Sequence, residues 1–116
     1  MSLPSSDRLQ QLFGFLEARP ADPFILFAVA KEYEGLGAPE RALAYYLQLR
    51  QADPKYVGLY YHLGKLYEKK QDWTAALEAY DAGIAVAKAQ GDRHAQSELA
   101  GARLEIADDD DDEFEF

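Results

Sequence analysis

His62 and His94 are the only histidines in a 116-residue chain that has no cysteine. A metal centre needs three or four converging ligands, and two distant histidines without a thiolate do not supply them. His62 stands in a tyrosine-rich stretch and reads as a packed or groove-lining residue. Nucleophilic catalysis pairs a Ser or Cys with a positioned base, and neither Ser97 nor Thr74 has a partner of that kind in the sequence. The eight glycines are scattered and form no loop that would cradle a phosphate. The run Asp108–Asp112 would attract divalent cations only weakly, because it lacks the alternating ligands and the glycine of a calcium loop. The chain therefore reads as a non-enzyme with no cofactor and no metal.

Aromatic contact is the remaining chemistry, with eight Tyr and six Phe to carry it. Stacking on nucleic-acid bases also requires a basic groove. The net charge is −9, and residues 108–116 hold seven of the 21 acids and no base, leaving 14 acids against 12 bases in the rest. The body is nearly neutral, so a nucleic-acid partner is not expected. The longest apolar run, Pro23 to Ala30, is less than half of the roughly 20 residues that span a bilayer. The N-terminus lacks a basic region followed by an apolar one. These features predict a soluble cytoplasmic protein with no membrane partner. Without cysteine, the redox compartment cannot be inferred.

The aromatic residues recur with helical spacing. Tyr60, Leu63, Gly64 and Tyr67 form one stripe, Gln71-Asp72 interrupts it, and Ala76 and Tyr80 begin a second. Sets three and four apart lie on one helix face, and Asp72 is a suitable N-cap for the second helix. A shift of 34 residues finds the same stretch again: Tyr67 falls on Tyr33, Ala76 on Ala42, Leu77 on Leu43, Tyr80 on Tyr46, and Gly64 on Ala30. Lys65 and Glu68 likewise fall on Lys31 and Glu34. Such a period signals stacked helix-turn-helix units. The pattern resembles the tetratricopeptide repeat family, in its small stand-alone bacterial form. Its signature of aromatic-x2-Leu-Gly-x2-Tyr, then Ala-x3-aromatic, then Pro is met by Tyr60, Leu63, Gly64, Tyr67, Ala76 and Tyr80, with Lys88 in the proline place. The preceding unit is weaker at Leu26, Val29 and Ala30 but has Tyr33, Ala42, Tyr46 and Pro54.

The resemblance implies an all-α fold, a right-handed superhelix of two full repeats with flanking capping helices, about six helices in all. The expected domain spans 1–107: an N-terminal capping helix over 6–18, repeat 1 over 23–54, repeat 2 over 57–90 and a C-terminal capping helix over 93–107. An acidic-aromatic tail, 108–116, follows. Ser6 is a candidate N-cap, with Leu9, Leu12, Phe13 and Leu16 at helical spacing and Phe15 broadening that face. Asp22-Pro23 is a start signal and Gly37 a left-handed stop. On the last helix Ala95, Leu99, Ala102 and Ile106 make a narrow apolar stripe, with polar residues opposite, as a capping helix requires.

In this family the first helix of each repeat lines a concave groove for a peptide. Carried over by position, the peptide-binding residues are Phe24, Phe27, Lys31 and Glu34, then Lys55 at the turn, and Tyr61, Lys65, Glu68 and Lys69. Phe24, Phe27, Lys31 and Glu34 share a face distinct from Leu26, Val29, Ala30 and Tyr33, and apolar side chains on a non-packing face suit a binding pocket. The plainer reading is that a terminal helix covers them. Chaperone-binding members clamp a carboxylate with lysine and asparagine; here Phe27, Lys31 and His62 hold those positions, so that specificity is not expected. The expected function is a protein-interaction adaptor whose partner is a peptide or helix of another protein, acidic and aromatic in the sharpest version. The alternative is a self-assembling module, a homo-oligomer built by tail-in-groove or cap contacts, against the plainer reading of the tail as a solvated charge run.

Overall fold

A computed structural model describes residues 4–112, and all its regular structure is helical. The six helices are α1 (Asp7–Ala18), α2 (Pro23–Gly35), α3 (Pro39–Ala52), α4 (Gly58–Lys69), α5 (Trp73–Gln90) and α6 (Arg93–Asp112). They divide between two compact units, residues 1–56 and 57–116.

In the first unit α1 and α2 start at side-chain caps. The Ser6 hydroxyl accepts from the Leu9 N–H at the head of α1. Asp22 accepts from the N–H groups of Phe24 and Ile25, with Pro23 at the first position of α2. Each cap satisfies donors that a helix N-terminus otherwise leaves orphaned. Leu9, Leu26, Val29, Ala30, Tyr33, Ala42, Tyr46 and Leu49 are buried. Around them Phe13 packs on Tyr33 and Tyr45, with ring centroids 6.3 Å apart in both pairs. Tyr33 and Tyr45 stack at 5.7 Å, and the Arg41 guanidinium lies 6.0 Å from the Tyr33 ring centroid. Ser6 and Arg8 of α1 both reach Glu32 of α2, at 2.9 and 3.4 Å.

The second unit repeats the plan and adds α6. The Tyr80 ring of α5 lies against the α4 backbone at Gly64, where an added methyl would fall 2.2 Å from its Cε1. Gly83 allows a second close approach: a methyl there would lie 2.5 Å from Tyr60 Cβ and 2.9 Å from Leu99 Cδ1. Leu99, Ala102 and Ile106 of α6 are buried and Ala95 is half-buried. The helix continues to Asp112, past the expected end at Ala107. No Gly or Pro follows Gly101, so the backbone meets no residue that would stop it.

One device is common to both units and was visible in the sequence only as matching letters. The Tyr46 hydroxyl donates to Glu34 Oε1, and the Tyr80 hydroxyl to Glu68 Oε2. Both pairs join the two helices of a repeat, one 34 residues after the other. The turns between those helices match as well. Gly37 has φ +72° and Gln71 φ +60°. In each, the next residue's N–H bonds back to the carbonyl of Tyr33 or Tyr67 at 2.9 Å, the six-to-one closure of a Schellman end.

Candidate binding faces

α2 turns one side inward and another outward. Phe24, Phe27 and Lys31, spaced at three and four, share the outward side. Phe24 is 74% exposed. Phe27 is half-buried, edge-on to Tyr46 at 6.0 Å and tilted against Tyr56 at 5.1 Å. With Arg8, Glu32 and Tyr56, these three residues line an open cavity of about 440 Å³. Burial first, and then the Asp53 charge, pushes the Tyr56 phenol above its ordinary pKa, so it remains a neutral hydrogen-bond donor. The plainer reading has a terminal helix covering Phe24, but within its own unit α1 leaves it exposed.

Glu34 is placed differently. Its carboxylate accepts from Tyr46, so it braces the repeat at the edge of this face. Lys55 stands in the turn after α3, its N–H bonded to Asp53 Oδ1 at 3.1 Å, and does not line the cavity.

The second unit carries the remaining expected residues on α4. The Lys65 ammonium lies 5.6 Å from the centroid of the Tyr61 ring, which meets His62 edge-on at 5.9 Å. Lys65 also pairs with Glu68 at 3.5 Å and with Glu105 of α6 at 3.9 Å. The expected positive point on this helix is thus balanced by its own unit. Glu68, like Glu34, is engaged by a tyrosine, and Lys69 is exposed. Burial, and then the hydrogen bond to the carboxylate, raises the pKa of both Tyr46 and Tyr80, since the low-dielectric site and the adjacent charge both disfavour tyrosinate.

A further open cavity, of about 540 Å³, lies between α1 and α2, with Phe15, Phe24, Arg8 and Arg19 in its walls. The helical pattern placed Phe15 on a broad packing face, but it is 60% exposed. Arg8, Phe15, Glu32 and Glu105 were not expected at a site. Among the described residues no His, Cys, Asp and Glu cluster could hold a metal ion, and no helix is long and apolar enough to cross a membrane. The expected docking of the acidic tail lies outside the described residues.

No protein-family profile matches the chain. A TPR repeat-containing protein of Pseudomonas aeruginosa is 33% identical over 73 residues, covering 63% of this chain and 70% of the relative. The crystal structure of a tetratricopeptide repeat domain protein from Salinibacter ruber aligns with TM-score 0.69 and 44% identity, over 72% of this chain and 93% of that one. The solution structure of a Bordetella parapertussis protein aligns with TM-score 0.77 over 91% and 92% of the two chains, at 24% identity. That last likeness is one of fold alone.

Proposed function

This chain belongs to the tetratricopeptide repeat family, whose fold serves in general as a protein-interaction module, and from that premise we propose that a first-of-pair helix, α2, receives a peptide or helix of another protein. The observation that carries this reading is the slot on α2: exposed Phe24, half-buried Phe27 and Tyr56, and the exposed Lys31 around one open cavity of about 440 Å³. An apolar or aromatic side chain would replace water between the rings, where burial contributes about 25 cal/mol per Å². A carboxylate on the same ligand would meet Lys31 or Arg8. Within its own unit α4 presents Tyr61 and Lys69 as an aromatic and cationic face, while Lys65 is drawn toward Glu68 and Glu105. The preferred ligand is therefore an acidic segment with aromatic anchors.

Selection of a displayed random-peptide library on the full chain tests this. Enriched sequences should be acidic and aromatic, and a synthetic peptide from them should bind less tightly at higher salt, where exposed charges are screened. Phe27→Ala should weaken it about tenfold, the scale of one truncated anchor. Peptides that bind Phe27→Ala and Lys31→Glu as well as the parent would place the ligand elsewhere. A peptide of residues 108–116 belongs in the same assay, because its saturable binding would favour self-assembly.

A further inference from the structure

The repeat period shows what the groove between α1 and α2 lacks. Leu12 and Phe15 of α1 stand 34 residues before Tyr46 and Leu49, and 68 before Tyr80 and Gly83. In α3 and α5 those positions are buried. In the second unit they face the first helix of their own pair: Tyr80 lies on Gly64 and reaches Glu68, and Gly83 lies on Tyr60. In the first unit Tyr46 is likewise held by Phe27 and Glu34 of α2. α1 is thus the second helix of a pair, and among the described residues no first helix covers it. Leu12 is instead half-buried, Phe15 is 60% and Phe24 74% exposed, and an open cavity of about 540 Å³ lies among them.

We propose that this cavity is the seat of a helix supplied in trans: an amphipathic helix of a partner protein, with an apolar stripe over Leu12, Phe15 and Phe24 and carboxylates for Arg8 and Arg19. Both arginines and no carboxylate line the cavity, so an acidic helix is the complementary occupant and a symmetric pairing of two seats would set arginines against arginines. Arg8 and Arg19 already meet Glu32 and Asp22 at 3.4 and 3.8 Å, but such exposed pairs are weak and a second carboxylate can share them. Position adds to the charge argument. Arg8 lies one turn before Leu12, at the end of the seat where Glu34 and Glu68 reach across in the complete pairs. An incoming glutamate at that register would meet the guanidinium.

This seat adjoins the α2 slot described under the proposed function and shares Arg8, Phe24 and Ala28 with it, whereas Phe15 lines the seat alone. The probe is a fluorescently labelled peptide with the sequence of residues 22–36, a first-of-pair helix carrying three acids and one lysine. It is titrated into the full chain at low and high salt. Saturable binding is expected, weaker in salt, weakened about tenfold or more by Phe15→Asp, and unchanged by Lys88→Ala at the exposed end of α5. Circular dichroism melts of Phe15→Asp, together with the milder Phe15→Ala, show whether the fold is kept. No binding at high micromolar concentration, or binding that Phe15→Asp leaves intact, overturns the proposal. A mass that rises with concentration without peptide, and falls back in Phe15→Asp, also overturns it, by making a second copy the occupant.

Discussion

At the scale of single residues, two glycines in neighbouring helices predict opposite responses to the same methyl group. Gly83 has Tyr60 Cβ and Leu99 in the way, whereas nothing stands within 4 Å of a methyl at Gly101. Gly83→Ala should destabilise, because overpacking costs about 1–3 kcal/mol and the helix preference for alanine returns only about 0.5–1 kcal/mol. Gly101→Ala keeps that preference and should raise the melting temperature. The tyrosine pairs give a pH dependence. An unfolded tyrosine loses its proton near pH 10, while Tyr46 and Tyr80 hold theirs to higher pH. Stability from this source is complete below about pH 10 and is lost above it, since only the unfolded chain gains by ionising. Each tyrosine steepens the decline by up to about 1.4 kcal/mol per pH unit. Urea melts from pH 8 upward should show the slope, and Tyr46→Phe with Tyr80→Phe should flatten it. The sequence displayed these residues without their roles: Glu34 and Glu68 looked like matching surface letters, and the two tyrosines looked like packing alone.

At the scale of helices, the ends were legible and some faces were not. Ser6, Asp22 and Asp72 act as caps because side-chain capping depends on residues within three positions, which a sequence displays directly. The exposure of Phe15 was hidden, because a helical wheel reports which residues are apolar and not whether a neighbouring helix arrives. The helix α6 runs on past the expected end at Ala107, because the acidic run holds neither Gly nor Pro to stop it. The shared turn carries its own prediction. Gln71 holds the left-handed backbone that Gly37 holds in the first unit, and a side chain there costs roughly 1–2 kcal/mol. Gln71→Gly should raise stability by about 1 kcal/mol, the added freedom of the unfolded chain offsetting part of the relief. A denaturation midpoint that falls instead would mean the Gln71 side chain makes a compensating contact.

At the scale of the molecule, the 34-residue period made the family and its six helices readable, because one repeated set of small and large residues must serve each pair. The binding faces were readable only as outward positions. What they hold depends on charges from other helices, such as Glu105 beside Lys65. The contacts have a kinetic consequence. Within each unit the helices that touch are neighbours along the chain or, for α4 and α6, one helix apart. Little chain must be looped before a contact forms, and folds with such local contacts form in microseconds to milliseconds. Trp73, the single tryptophan, opens α5 at 45% exposure and can report the event in a stopped-flow dilution from urea. A refolding phase of seconds would show that the search is governed by something other than neighbouring helices. Fast closure would leave a newly made chain little time with its apolar faces bare.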